Sequence, residues 1–154
     1  MSNRLIVFDL DFTLWDAGGT WCDCCTPPFS RRNGRVVDAR GGCIDPYPDI
    51  PRILEHCEAQ GYLMATASRT DQPSWAKRIL DLLEIRDRFA FEEIYPGSKT
   101  RHFHALQRQS SLDYKQMIFF DDEHRNIHEV GDLGVQAVHV PRGMTWKLFQ
   151  QASL

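Results

Sequence analysis

Asp9 and Asp11 stand two positions apart at the end of an apolar run, in the stretch "LIVFDLDFTLW" at residues 5–15. In extended backbone, residues i and i+2 point to the same side, so both carboxylates can face one substrate. That spacing suits a nucleophile and a general acid/base working on one bond. Unlike surroundings let two such acids hold different protonation states. Further along, Ser68, Arg69 and Thr70 follow "YLMATA", Gly97, Ser98 and Lys99 follow a run at 91–95, and Asp121 and Asp122 follow "QMIFF". Crowded carboxylates repel unless a cation sits among them. Hard oxygen ligands favour Mg2+, which takes one or two carboxylates, waters and a phosphate oxygen. A lysine and a hydroxyl beside it complete what a phosphate group needs. Lys99 also opens a helix, whose free N–H groups favour an anion. The residue types alone point to a magnesium–phosphate site.

Elements that alternate along the chain must position these groups. Short apolar runs at 4–9, 62–67, 91–95, 116–121 and 135–140 read as strands, and the unbroken run in "QMIFFD" predicts burial on both faces. Between them lie amphipathic stretches. Residues 48–60 place Ile50, Ile53, Leu54 and Cys57 on one helical face, and Gly61 ends the helix. Residues 72–84 carry Trp75, Ile79, Leu82 and Leu83 at helical spacing behind Pro73. Helices are also predicted over 98–109, with Phe103 and Leu106 inward, and over 124–134 and 144–152. Strands alternating with helices predict an α/β fold, a doubly wound parallel sheet in three layers. Ligands of such sheets gather beyond the carboxyl ends of the strands. Every predicted strand end but the last delivers a polar group there.

Residues 16–47 break the alternation. They are rich in Gly, Pro, Cys and Arg and read as a loop or small β-flap. Thirty or so residues are too few for an independent cap domain. We therefore expect a single domain over 1–154 with a flap insertion at 16–47 and an open site. Openness admits phosphorylated protein side chains without excluding sugar phosphates. Arg31, Arg32, Arg35 and Arg40 on the flap suit either anionic substrates or a solvated surface. Trp15 and Trp21 suit either the site's entrance or an apolar staple for the flap.

Composition narrows the alternatives. The chain has 154 residues, 42% hydrophobic and 25% charged, enough for one real core. Its formal charge of -3, with acids and bases interspersed, argues against a nucleic-acid surface. No apolar run approaches the roughly 20 residues of a membrane helix. The start "MSNR" lacks a signal-peptide hydrophobic region, so a cytoplasmic protein is expected, working as a monomer. Five cysteines, an odd number, argue against a disulfide framework. Cys22, Cys24, Cys25 and Cys43 lack the two C-x2-C pairs usual in zinc sites, and reduced thiols are the simpler reading. His124 and His128 share a helical face without an evident third ligand; His102 and His104 also fall on a predicted helix.

The chemistry-bearing segments resemble the four motifs of the haloacid dehalogenase superfamily of phosphohydrolases. "DLDFT" at 9–13 is similar to D-x-D-x-T, Ser68 in "ATASRT" to the second motif, Lys99 to the third and "FFDD" at 119–122 to the fourth. "FDLDFTLW", "ASRT", "EIYPGSK" and "FFDDEHRNI" together resemble the eukaryotic magnesium-dependent phosphatase family, small members without a large cap. Its members act on phosphotyrosine and on sugar phosphates. The resemblance implies a Rossmann-like core, Mg2+ as cofactor and a phosphorylated substrate. It makes Asp9 a nucleophile that forms an aspartyl-phosphate and also ligates Mg2+. Asp11 becomes the acid/base, with its backbone carbonyl on the metal. Ser68 and the backbone N–H groups of Leu10 and Arg69 bind the phosphoryl oxygens; the Arg69 side chain suits either a substrate clamp or a solvated position. Lys99 neutralises charge on Asp9 and the phosphoryl group. Asp122 ligates the metal directly, and Asp121 does so through water or supports the site.

Three rivals remain. A signalling receiver accepts a phosphoryl group on aspartate with similar parts, but its acidic pair comes first in the chain. A carbon–halogen hydrolase of the same superfamily lacks the second aspartate, because halide leaves unprotonated. An idle interaction domain has no need of acids at all these positions.

Overall fold

The computed structural model describes residues 3–152. Strand β1 (Leu5–Phe8) is buried along its whole length. The chain then forms four short flap strands: β2 (Trp15–Asp16), β3 (Ser30–Arg32), β4 (Arg35–Val37) and β5 (Cys43–Pro46). Helix α1 (Ile50–Ala59) leads to β6 (Leu63–Ser68), α2 (Pro73–Leu82) to β7 (Phe91–Ile94), and α3 (Lys99–Ser110) to β8 (Met117–Asp121). Helix α4 (His124–Gly131), β9 (Gln136–His139) and α5 (Trp146–Gln150) complete the order.

The five long-range strands make a parallel sheet in the order β7-β6-β1-β8-β9. Its pleat sends alternate side chains to opposite faces. Ile6 and Phe8 of β1 and Ile118 and Phe120 of β8 enter one core with α1, α2, α5 and the flap. Leu5, Val7, Met117 and Phe119 enter a second core with Phe103 and Leu106 of α3 and Val130 of α4. Two buried layers demand apolar residues at every position of the central strands, which is why their sequences are unbroken runs. Burying one such side chain is worth about 1.5–3 kcal/mol, so a charge placed at Val7 or Phe119 would break the sheet.

Helix ends follow local chemistry. Ile50, Ile53, Leu54 and Cys57 make the buried stripe of α1. Gly61, at φ 74, lets the chain turn back, with Gly61 N donating to Glu58 O at 3.1 Å and Tyr62 N to Cys57 O at 3.0 Å. Ser98 caps α3, accepting from Arg101 N. Pro73 stands at the start of α2.

Residues 15–46 form an antiparallel sheet of their own, in the order β2-β5-β4-β3. Phe29 packs against Trp75 of α2 with ring centroids 6.1 Å apart, which seats it on the body. Among the described residues, no helix is long and apolar enough to cross a membrane.

Candidate active site

Strand order reverses between β1 and β8, the two central neighbours, which are paired Phe8 to Phe120. Chain connections part there and leave a crevice at the carboxyl ends. Asp9 emerges from β1 on one side of it, with its N–H on Phe120 O at 3.0 Å, and Asp121 ends β8 on the other. Ser68 ends β6, the strand beside β1. The cleft, of about 170 Å³, is lined by Asp9, Asp11, Ser68, Arg69, Lys99 and Asp122, with Trp21 among the residues at its lip.

Lys99 holds the centre. Its side chain is 1% exposed, and Nζ donates to Asp9 Oδ1 at 3.1 Å, Asp121 Oδ2 at 2.9 Å and Ala67 O at 2.6 Å. Nζ also lies 4.9 Å from the centre of the Phe119 ring. Burial works against the lysine's charge, and Asp9 and Asp121 together outweigh it and raise its pKa. A lysine at the first turn of a helix opposes the dipole; the two carboxylates stabilise it there.

One ammonium does not balance the acids. Carboxylate oxygens of Asp9, Asp121 and Asp122 lie within 4.8 Å of one another. Burial and then Asp121 push the Asp9 pKa well above its ordinary value, against the pull of Lys99. Burial also raises that of Asp122. Negative charge left in excess among hard oxygen donors is what a divalent cation such as Mg2+ would neutralise. Among the described residues, no other group of three His, Cys, Asp or Glu ligand atoms comes so close.

The two members of the acid pair differ in their bonding. Asp121 is fully buried and its oxygens are engaged: Oδ1 accepts from Glu123 N at 2.8 Å, Oδ2 from Lys99 Nζ and from Asn126 Nδ2 at 3.0 Å. Asp122 is only partly buried and lines the cleft.

Asp11 reaches the cleft from a turn, because β1 stops at Phe8. Phe12 takes φ 62, a left-handed value costly for a bulky side chain. The turn is held by Leu10 O, which accepts from Thr13 N, Leu14 N and Trp15 N, and by Phe12 N donating to Trp15 O at 2.9 Å. It brings Trp15 back under Asp11, whose Oδ1 accepts from Trp15 Nε1 at 2.7 Å and from Cys22 N at 2.9 Å. Burial pushes the Asp11 pKa up to about 6, and those two bonds oppose the rise. Asp11 is thus poised to hold or release a proton near neutrality.

The remaining residues named from the sequence line the same crevice. Ser68 is 3% exposed, and its Oγ accepts from Thr70 N at 3.3 Å. Among the described residues, the backbone N–H groups of Leu10 and Arg69 meet no backbone acceptor in the loops. Arg69 donates from Nη1 to Asn126 Oδ1 at 3.1 Å.

One expectation needs correcting. The last strand also delivers a polar group: His139 bonds the Asp122 carbonyl through Nε2 at 2.8 Å and stacks on His124 at 3.9 Å. Trp15 is buried beneath Asp11, and Trp21 is 52% exposed at the cleft's lip, so the two do not share one role. Arg31 pairs with Glu84 at 3.1 Å and Arg35 with Asp45 at 2.6 Å, and no flap arginine lines the cleft. Asn126 was not legible as a site residue. Its signal was its place in the first turn of the helix after the acidic pair, where a buried amide can reach back to Asp121.

The Acid Phosphatase family model matches residues 2–153 of the chain. Human magnesium-dependent phosphatase 1 is 42% identical over 150 residues, which cover 96% of this chain and 84% of that protein. A HAD-like hydrolase superfamily protein of Schizosaccharomyces pombe is 38% identical over 145 residues, covering 86% of this chain and 82% of its own. Among solved structures, a haloacid dehalogenase-like hydrolase from Streptococcus pneumoniae has a TM-score of 0.67 at 18% identity, covering 97% of this chain and 90% of that one. At that identity the likeness speaks for the fold.

Proposed function

The chain belongs to the acid phosphatase family, within the haloacid dehalogenase superfamily, and from that premise we propose that it hydrolyses phosphomonoesters with Mg2+ through a phosphoryl group carried on Asp9. The observation that carries this reading is the buried Lys99 held between Asp9 and Asp121, with Asp122 close by. Three carboxylates gathered within 4.8 Å, two of them on one lysine, fit a divalent cation and a phosphate at the edge of a cleft. Asp9, Asp122 and the Asp11 backbone carbonyl would hold the ion, with Asp121 behind them. When bound, Mg2+ supplies positive charge to the oxygens of the transferring phosphoryl group.

The chain's own residues do the rest. Asp9, oriented by Lys99, attacks phosphorus through a carboxylate oxygen while the bond to the leaving alcohol breaks. Asp11 gives its proton to the departing oxygen of the alcohol. Ser68 Oγ and the N–H groups of Leu10 and Arg69 hold the phosphoryl oxygens, a placement that favours the charge of the transition state. In the second half, Asp11 takes a proton from water, which attacks the acyl phosphate and releases inorganic phosphate and free Asp9. The second acid is what supports turnover over a long-lived phosphoryl receiver.

The substrates on this reading are protein phosphotyrosine and sugar phosphates. A flap this small leaves the cleft open, and the exposed indole of Trp21 stands at its lip for an incoming ring.

The test is direct. Asp9→Asn should abolish hydrolysis of p-nitrophenyl phosphate with an unchanged circular dichroism spectrum. EDTA should stop the wild-type enzyme and Mg2+ restore it. Retained turnover in the variant removes Asp9 as nucleophile, and activity indifferent to chelation removes the metal.

A further inference from the structure

Asp122 has two sides. One faces the cleft just described; the other belongs to a second groove of about 260 Å³, walled by Phe12, Tyr47, Arg142 and Gly143. The two depressions meet at this shared carboxylate. Charge is distributed unevenly between them. On the cleft side Asp23 and Glu123 also line the wall, while Lys99 is engaged by two carboxylates and Arg69 by Asn126. On the groove side Arg142 is exposed and enters no ion pair among the described residues.

The groove is built on the catalytic loop. Met144 N donates to Thr13 O at 3.1 Å, and Val140 N to Asp121 O at 2.8 Å, so the segment carrying Arg142 is tied to both sides of the site. Tyr47 N donates to Leu14 O at 3.0 Å, which fixes the opposite wall. Gly143, at φ 81, lets these walls close: a Cβ there would run into the Tyr47 ring. Burial, then Asp16, Asp122 and Asp11, push the Tyr47 phenol up to about 12, so its O–H remains a donor.

We propose that this groove is the leaving-group subsite, and that Arg142, with the Tyr47 hydroxyl, selects small phosphomonoesters whose alcohol carries a second anionic oxygen group. A guanidinium matches a carboxylate or a second phosphate through paired N–H donors. A substrate placed with its ester at Asp9 and its second anion toward Asp23 and Glu123 is repelled; turned toward Arg142, it is attracted. Arg142 is a specificity-determining residue in this arrangement and takes no part in the bond changes.

The inference rests on the hydrolase reading above, and the experiment separates the two. Wild type is assayed on glycerol 3-phosphate and 3-phosphoglycerate, which differ in a carboxylate, and on fructose 6-phosphate and fructose 1,6-bisphosphate, which differ in a phosphate. We expect kcat/KM at least tenfold higher for the member of one pair that carries the second anionic group. Arg142→Ala should bring that ratio near one, with Arg142→Lys in between, and Tyr47→Phe should lower it several-fold. Which pair responds tells carboxylate from phosphate. A wild-type ratio at or below one in both pairs overturns the proposal, as does an Arg142→Ala enzyme whose activity changes equally on all four esters. Hydrolysis of p-nitrophenyl phosphate without hydrolysis of any of the four sinks the subsite alone. Failure on p-nitrophenyl phosphate as well sinks the hydrolase reading.

Discussion

Asn126 shows how a single amide can organise a site it does not enter. Its Nδ2 donates to buried Asp121 and its Oδ1 accepts from Arg69, so it links the acid behind Lys99 to the cation that faces the cleft. Asn126→Ala removes both bonds. Asp121 then keeps the lysine and one backbone donor, and a partly unsatisfied buried carboxylate costs about 1–3 kcal/mol. Freed Arg69 loses its fixed position, so KM should rise several-fold with a smaller fall in kcat. Urea unfolding and steady-state kinetics on p-nitrophenyl phosphate check the two halves; an unchanged KM would mean that Arg69 does not meet substrate. Asn126→Asp should be worse than alanine, because it sets a second buried carboxylate against Asp121. None of this was legible from the sequence. Arg69 and Asn126 are 57 residues apart, and only the order β6-β1-β8 in the sheet brings them together. The acids, Ser68 and Lys99 were legible because each ends or follows an apolar run, and a doubly wound sheet brings its strand ends to one edge.

At the scale of elements, the flap depends on one carboxylate. Asp38 accepts from Thr26 N at 3.0 Å through Oδ2, and from Arg40 N at 3.0 Å and Gly42 N at 2.8 Å through Oδ1. Those bonds close residues 26–42, just after the turn Cys22–Cys24, whose Cys22 N–H holds Asp11. Asp38→Ala should therefore loosen residues 26–42, cost about 1–3 kcal/mol and lower kcat/KM through Asp11. Hydrogen exchange and kinetics on the same variant read both. The bond from Thr26 N, ahead of those from Gly42 and Arg40, holds the Asp38 pKa below its ordinary value. A depressed carboxylate contributes stability above its unfolded pKa and loses it as pH falls through the folded one. Exchange protection of 26–42 should drop as pH descends below about 4, and should show no such step in the alanine variant. Sequence gave a flap here but not its fastening. Five helices and five parallel strands were written in apolar periodicity, whereas Asp38 acts on backbone groups of a loop, which leave no periodic trace. Arg31 and Arg35 looked available for substrate for the same reason: their partners Glu84 and Asp45 become neighbours only after folding.

The whole molecule carries a cost at its centre. Asp9 and Asp121 share one lysine with Asp122 beside them, and the raised pKa of Asp9, from burial and then Asp121, is the sign that its charged form is disfavoured by folding. A carboxylate with a raised folded pKa binds more protons folded than unfolded. Its unfavourable contribution therefore begins as pH rises above the unfolded value of about 3.9 and grows until the folded pKa is passed. In EDTA, the wild-type protein should lose stability over that window relative to Asp9→Asn, which keeps an oxygen for Lys99 and carries no charge. The variant should be the more stable apoprotein at neutral pH, by on the order of 1 kcal/mol, while having no activity. Mg2+ should reverse the order. A ligand at a hundredfold its Kd stabilises by about 2.7 kcal/mol, and in a domain of this size that is a rise in Tm of roughly 5–10 °C. The wild type should show it and Asp9→Asn should show little. Differential scanning calorimetry of both proteins, with EDTA and with Mg2+, across pH 4 to 8, measures every part of this. An Asp9→Asn apoprotein less stable than wild type at neutral pH would mean that Asp9 stabilises the fold through Lys99 by more than it strains it through Asp121, and that the centre is a structural ion pair before it is a catalytic one.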